Sequence, residues 1–265
     1  MTKIAQVVLG LIATTVVLAP VAVAATSNTG AEGPVIPNLN VLSSAATSAG
    51  MRILYAPSEA DDAAYRAAIA AITGGTVDYF DARVATPDLA LLQQYECVHT
   101  WANSAYADTV AFGNNLADFV DGGGSAVLGV FSTYTTGNFL SGRIMTPGYS
   151  PVVSPSGTNH FTFSSYAGDG TTVIYKGVTA FGSVYRDFLT LQGNGIKDGS
   201  YLDGEIAHAY RPDFRVIYSN GGGAVPLGGT GDWPRLIANA CAAHAARVPV
   251  PVLGLSTFGA LYSGT

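Results

Sequence analysis

Four histidines and two cysteines are the groups best able to act as bases, nucleophiles or metal ligands in this chain of 265 residues. The histidines are His99, His160, His208 and His244. No pair of them has an HxH or HExxH spacing, so the sequence predicts no metal site. Glycine clusters at 122–124 and 221–223 lack the P-loop lysine and the Rossmann spacing, so no nucleotide cofactor is expected either.

Ser132 is a candidate nucleophile because it follows a predicted strand. A serine needs a histidine within hydrogen-bond reach to lose its proton, and His208 or His160 would have to supply it. The sequence around Ser132 has no G-x-S-x-G pattern. Ser132 and His208 therefore stay candidate catalytic residues, and no catalytic role is assigned to them.

Glu59 is a third candidate, because it follows the first predicted strand without an evident capping role. A glycoside hydrolase would pair it with a second carboxylate, from Asp187, Asp203 or Glu205. The sequence does not give the distances between these side chains. A hydrolase built on Glu59 or Ser132 is therefore kept as an alternative function.

Cys97 and Cys241 allow three interpretations. They fit two small core residues, because each lies on the inner side of a predicted strand or helix. They also fit a disulfide, which would suit a protein outside the cytoplasm. A catalytic thiol is disfavoured, since neither cysteine lies on a strand-to-helix turn. We favour the core interpretation from the sequence, with the disulfide left open.

Strand and helix patterns alternate through the first half of the chain. Short apolar runs predict strands, and apolar residues at helical spacing predict helices between them. The strands are expected at 51–56, 76–80, 97–101 and 125–131, and the helices at 61–72, 86–95 and 108–120. Three such units followed by a strand predict a three-layer α/β/α sandwich with a mainly parallel, doubly wound, flavodoxin-like sheet.

The second half is less regular. Residues 132–170 are rich in Gly, Ser, Thr, Pro and Tyr, which predicts an irregular insertion. Further strand-like runs and a last helix follow it, at 172–175, 186–191, 205–210, 214–218 and 232–246.

The two ends have compositions unlike the middle. Residues 1–24 fit a bacterial Sec-type signal peptide, and 25–50 fit a low-complexity linker. Residues 248–265 form a Pro-containing hydrophobic tail, which could be a truncated C-terminal sorting signal. We therefore expect one domain at 51–247, secreted or held in the periplasm or cell envelope. No stable transmembrane anchor is expected after signal cleavage, because the tail is too short to span a bilayer.

The net charge of −6, without a basic run, argues against nucleic-acid binding.

Two stretches carry a family resemblance. Residues 98–131 read VHTWANSAYADTVAFGNNLADFVDGGGSAVLGVF, and residues 215–245 read RVIYSNGGGAVPLGGTGDWPRLIANACAAHA. A polar strand end, a helix closed by an Asp-Gly-Gly-Gly turn and a Trp-bearing last helix resemble the class I glutamine amidotransferase-like superfamily. The closest likeness is to its secreted, trehalose-utilisation-protein-like members. The resemblance covers 51–247 and implies their fold.

The residues of the family's reaction are missing from the matching positions. Active members carry a cysteine in a Gly-x-Cys-x-Gly turn after the fourth strand, whereas residues 129–133 read GVFST here. Phe131 therefore takes the nucleophile's place, and phenylalanine cannot attack a substrate. The family's later His-x-Glu pair has no counterpart either, because 218–231 contains neither His nor Glu. The resemblance thus implies an exported, non-catalytic domain.

Ligands of open α/β sheets bind at the carboxyl ends of the strands. The predicted strand ends carry aromatic rings beside amide and hydroxyl groups, a combination that suits a sugar. We therefore expect a glycan or another small polar ligand to contact Ser58, Glu59, Trp101, Asn103, Tyr106, Phe131, Ser132, Tyr134 and Asn220. The remaining alternative is a surface module whose segment 132–170 contacts another, unidentified protein.

Overall fold

The structure is a computed structural model that describes residues 50–247. The predicted signal peptide at 1–24, all but the last residue of the predicted linker at 25–50, and the tail at 248–265 lie outside the described residues. Within 50–247, no helix combines the length and apolar character needed to cross a membrane.

Twelve strands and four helices make up the described part. The strands are β1 (Arg52–Tyr55), β2 (Thr76–Tyr79), β3 (Cys97–Thr100), β4 (Ser125–Gly129), β5 (Val152–Val153), β6 (Asn159–Ser165), β7 (Phe181–Asp187), β8 (Thr190–Leu191), β9 (Ile196–Ser200), β10 (Ile206–Tyr210), β11 (Val216–Ser219) and β12 (Thr230–Gly231). The helices are α1 (Ala63–Thr73), α2 (Leu89–Leu92), α3 (Thr109–Asp121) and α4 (Trp233–Arg247).

Seven strands form the main sheet in the order β2-β1-β3-β4-β11-β10-β9. The first five are parallel neighbours, and β10 and β9 add an antiparallel edge. Counting β11 as the fifth strand, this is the 2-1-3-4-5 order of flavodoxin-like sheets. The predicted α/β fold with a mainly parallel sheet is confirmed. The chain reverses direction of winding between β1 and β3, and their carboxyl ends therefore flank the usual ligand crevice.

Aspartates begin the helices, and the central strands supply the core. Asp62, Asp88 and Asp108 each accept a backbone N–H of the first helical turn. Strands β3, β4 and β11 are buried along their whole length, as expected for strands covered on both faces. Helix α1 packs on α4, and α2 packs on α3. The predicted helix at 86–95 is a single turn, Leu89–Leu92.

Three predictions for the second half are wrong. The strand expected at 186–191 is divided, because β7 ends at Asp187 and β8 comprises only Thr190–Leu191. Residues 132–170 are not wholly irregular, because β6 pairs with β7 in a three-stranded antiparallel sheet of order β12-β7-β6. Residues 173–175 form a 3₁₀ turn rather than a strand. Glycine and serine interrupt the alternation in 132–170, and the run at 172–175 is only four residues long. The sequence pattern is therefore weak in both segments.

A disulfide joins the sheet to the last helix. Cys97 on β3 and Cys241 on α4 are bonded, with their Cα atoms 5.5 Å apart and a sequence separation of 144. The interpretation favoured from the sequence, two unpaired core residues, is therefore wrong: both residues are buried, but they form the disulfide given as the alternative. A bridge that closes so long a loop restricts the unfolded chain strongly.

Replacing both cysteines by alanine (Cys97→Ala with Cys241→Ala) is expected to lower the free energy of unfolding by roughly 3–5 kcal/mol, because the unfolded chain regains its loop entropy. Urea unfolding with and without a reductant measures this. The reductant should lower the midpoint of the wild-type chain and leave the double variant unchanged. Equal midpoints for the oxidised and reduced wild type would contradict the bond.

Candidate functional site

The chain makes a strained turn where β4 ends, at residues 129–134, which we call the elbow. Phe131 has a φ of 67°, a left-handed conformation that bulky residues rarely adopt. The turn is closed by the N–H of Ser132 donating to the carbonyl of Gly129 (3.2 Å) and by the N–H of Tyr134 donating to that of Phe131 (3.0 Å). A left-handed L-residue costs about 1–2 kcal/mol, so the surroundings must hold the elbow in place.

A buried carboxylate supplies that restraint. The N–H of Phe131 donates to Oδ1 of Asp187, at the end of β7 (3.2 Å). The Asn159 amide and the Tyr218 hydroxyl also donate to this carboxylate. Asn220 fixes the backbone behind it, accepting from the N–H of Asp187 (2.6 Å) and donating to its carbonyl (2.9 Å). One fully buried side chain thus ties the elbow to β6, β7 and β11.

The burial of Asp187 changes its acidity. Desolvation raises the pKa of Asp187 to about 6, and hydrogen bonds from Tyr218 and Thr133 oppose a larger rise. Because the carboxylate is sealed from solvent, it positions backbone and does not face a ligand.

A cleft of about 230 Å³ opens beside the elbow, and we call it the elbow cleft. Four aromatic rings line the cleft, and they come from two parts of the fold. Phe131 and Tyr134 come from the elbow, whereas Phe161 and Tyr185 are opposite each other on β6 and β7. The close approach of Tyr134 needs a glycine at 137, because a Cβ there would lie 2.1 Å from the ring.

Amide and charged groups line the rim of the cleft. Asn103 and Asn138 border it, and the amide of Asn138 donates to the carbonyl of Asn103 (2.7 Å). The side chain of Asn103 donates to Glu59 (2.5 Å). Glu59 also pairs with Arg83 (3.4 Å), whose main partner is Asp81 (2.6 Å). Glu59 therefore sits next to the rim with a fixed neighbour on each side.

Five of the nine ligand residues predicted from the sequence lie outside the elbow cleft. Asn103, Phe131 and Tyr134 line the cleft and Glu59 is at its rim. The other five are buried and do not line it: Ser58, Trp101, Tyr106, Ser132 and Asn220.

The two large rings among these five are held by internal hydrogen bonds. The Trp101 indole donates to the Tyr55 hydroxyl (2.9 Å), and the Tyr106 hydroxyl bonds to Thr100 (2.8 Å). Neither ring offers a free face to a sugar. Ser58 is engaged as well, since its hydroxyl donates to the carbonyl of Ser104 (2.6 Å) and links β1 to the segment after β3.

The candidate nucleophile and base are not brought together. Ser132 is fully buried, while Nε2 of His208 bonds to the hydroxyl of Ser219 (3.0 Å). Nδ1 of His208 bonds to the Tyr175 hydroxyl (2.7 Å), which itself donates to the carbonyl of Asp198 (2.8 Å). Burial lowers the pKa of His208 to about 4, so the ring is neutral at pH 7. The serine that His208 does contact, Ser219, is enclosed with it in the core.

The other candidate groups are also engaged elsewhere. The remaining histidine bonds are His99 to Val127, His160 to Glu205 and His244 to Asp213. The partners proposed for Glu59 are occupied too: Asp187 holds the elbow, Asp203 pairs with the buried Arg186, and Glu205 pairs with His160. Across the described residues, no group of three or more His, Cys, Asp or Glu side chains could hold a metal ion.

Besides Ala102, sequence reasoning missed three lining residues with polar or aromatic side chains, Asn138, Phe161 and Tyr185. All three follow the point where the regular pattern stops. The alternation of NHFTFSS at 159–165, facing FGSVYRD at 181–187, was the available signal for a hairpin-like pair of strands.

Comparison with known proteins supports the fold and gives no information about the function. No family model and no curated protein matches the sequence. A cytoplasmic protein from Salmonella typhimurium is similar in structure, with 9% identity, a TM-score of 0.50, and coverage of 71% of this chain and 97% of that one. At that identity the likeness supports the α/β fold alone.

Two further solved structures score lower. A putative ThuA-like protein from Bacteroides uniformis has 13% identity and a TM-score of 0.47, covering 76% of this chain and 94% of that one. A putative GMP synthase component from Thermoplasma acidophilum has 10% identity and a TM-score of 0.48, covering 74% and 95%. Both scores lie below 0.5, and no conclusion about this chain rests on them.

Stability should depend on pH through three buried groups. Burial lowers the pKa of His99 and of His208 from 6.5 to about 4. Their contribution to the free energy of unfolding is therefore present above pH 6.5 and is lost as the pH falls through 4. Asp187 acts in the opposite direction, because its pKa of about 6 in the folded state is higher than the ordinary value of 3.8. Its contribution to the free energy of unfolding is present at low pH and is lost as the pH rises through 6. Asp187→Asn removes this opposing pH dependence, because an amide does not titrate.

Between pH 4.5 and 6, roughly, the free energy of unfolding of Asp187→Asn should therefore rise with pH more steeply than that of the wild type, by up to about 1.4 kcal/mol per pH unit. Urea unfolding at several pH values measures both slopes. A lower overall stability of the variant is expected and does not affect the comparison. Identical slopes would show that Asp187 is ionised at the same pH in both states.

Proposed function

We propose that this chain is a non-catalytic binding domain that holds a small ligand in the elbow cleft. The observation that carries the proposal is Phe131. The turn after β4 holds Phe131 in a left-handed conformation, and the ring of Phe131 forms a wall of the cleft. Because the resembled family carries its nucleophile at this turn, the geometry supports a ligand site without the nucleophile. The strain is thus kept at a position where it presents a ring to a ligand, and strained residues concentrate at such sites.

The proposal includes the finer description of the fold. We infer an amidotransferase-like, three-layer α/β/α arrangement, with α1 and α4 on one face of the sheet and α2 and α3 on the other. The strand order and the pairing of α1 with α4 and of α2 with α3 support it. In this scaffold the elbow lies at the carboxyl end of β4, where ligands of open α/β sheets bind.

The absence of catalysis is supported by the site's chemistry. In the described part of the chain, no histidine hydrogen-bonds to a side chain of the elbow. Ser219 has a histidine partner, but both residues are completely buried. A hydroxyl without access to substrate cannot act as a nucleophile, whatever its hydrogen bonds.

We further propose that the domain works outside the cytoplasm. The Cys97–Cys241 disulfide supports this location, because such bonds persist in oxidising compartments and are rare in the cytosol.

The absence of catalysis is tested with glutamine and with 4-nitrophenyl acetate, an ester that reports exposed nucleophiles. The wild type should release ammonia and nitrophenolate at the rates of buffer alone, because the elbow offers neither thiol nor base. Hydrolysis that grows with protein concentration and disappears in Ser132→Ala or Ser219→Ala would overturn the non-catalytic assignment.

Binding in the cleft is tested by saturation-transfer NMR with glucose, N-acetylglucosamine and choline as probes. At least one probe should receive magnetisation from the wild type, and Phe161→Ala should reduce this transfer several-fold, because a cleft wall is lost. Phe163→Ala is the matched control: Phe163 lies on the same strand and is 51% exposed, against 59% for Phe161, but it does not line the cleft. Transfer to no probe, or equal loss in both variants, would contradict the site.

A further inference from the structure

The four aromatic rings of the elbow cleft form a closed circuit. Neighbouring ring centroids are 5.5 Å apart for Phe131 and Tyr134, 6.5 Å for Tyr134 and Phe161, 5.9 Å for Phe161 and Tyr185, and 5.4 Å for Tyr185 and Phe131. A group seated among the rings is then within about 6 Å of every centroid, the range of cation–π attraction.

The rings stand as walls rather than as a platform. The angles between neighbouring planes are 50°, 72°, 83° and 45° in the same order around the circuit. A sugar is commonly enclosed between parallel ring planes, and no two neighbouring rings of the circuit are parallel. Several rings tilted steeply to one another can instead surround one compact group, as aromatic cages do with methylated ammonium groups.

The charges around the cleft suit a cation. Glu59 lies one hydrogen bond behind Asn103 at the rim. The guanidinium of Arg83, which contacts Glu59, is also paired with Asp81, so its charge is compensated. The whole chain carries a net charge of −6, which favours cations in the surrounding solution.

We propose that the elbow cleft binds a methylated ammonium group, as in a choline-like or betaine-like compound, with the cation inside the circuit of Phe131, Tyr134, Phe161 and Tyr185. A short polar arm of the ligand would lie toward the amides of Asn103 and Asn138 at the rim. This identification rests on the proposed function, because it names the ligand class of the same cleft. It replaces the sugar expected from the sequence.

The decisive comparison uses choline and 3,3-dimethylbutan-1-ol, which has the same shape and hydroxyl arm but a carbon in place of the charged nitrogen. Isothermal titration calorimetry with the oxidised wild-type chain should show choline binding at least tenfold more tightly than the alcohol. Equal affinities would mean that the cleft recognises shape alone and would overturn the proposal.

The variants test the location. Phe161→Ala and Tyr185→Ala should each weaken choline binding at least fivefold, because one wall of the circuit is lost, whereas Phe163→Ala should leave it unchanged. Tyr185→Phe keeps the ring and should bind choline within about twofold of the wild type. Choline binding that survives both alanine substitutions would place the cation elsewhere and would overturn the proposal.

Titrations with glucose and N-acetylglucosamine separate this proposal from the proposed function. A sugar that binds and depends on Phe161, while choline does not bind, would overturn the cation assignment and leave a ligand-binding cleft. Failure of choline, the alcohol and both sugars to bind a folded wild-type chain would overturn the assignment and the binding function together.

Discussion

The site depends on the hydrogen bond between the backbone of Phe131 and the buried carboxylate of Asp187. The left-handed turn is unfavourable for a phenylalanine, and the carboxylate is unfavourable without partners. Each compensates the other, since the turn supplies an N–H donor and the carboxylate fixes the turn. Tyr218 and Asn159 complete the donor set from β11 and β6, so the restraint joins the main sheet to the smaller one.

This restraint explains how the elbow keeps a left-handed conformation with a phenylalanine at position 131. The conformation of the elbow is specified from behind, by Asp187, and not by the side chain that it presents. Phe131 is free to contribute a ring at no further cost to the backbone. Two groups that could do acid–base chemistry, His99 and His208, lie in the core in neutral form, because burial lowers the pKa of each to about 4. The elbow cleft itself is lined by aromatic rings and by the amides of Asn103 and Asn138.

The sequence predicts one half of this arrangement well. Strands β1 to β4 and helices α1 and α3 follow from local periodicity, because each element is continuous and its partners follow closely in the chain. Phe131 could be placed at the end of β4 for the same reason. The small sheet is harder to predict: β6 and β7 alternate, but a glycine-rich stretch separates them and their register shifts between Phe161 and Ser164. The sequence gives the disulfide only as one of three alternatives, because its formation depends on how α4 packs on β3.

The register of β6 and β7 links the two halves of the site. Side chains alternate across a strand, so a slip of one residue would move Tyr185 to the opposite face of the small sheet and open the circuit of rings. Asn159 pairs with Asp187 in the ladder, and its side chain donates to the same carboxylate that holds the elbow. Two residues further along, the ladder pairs Phe161 with Tyr185. Asp187 therefore fixes both the turn that carries Phe131 and the register that brings Phe161 and Tyr185 opposite it, and the geometry of the elbow cleft follows from one buried side chain.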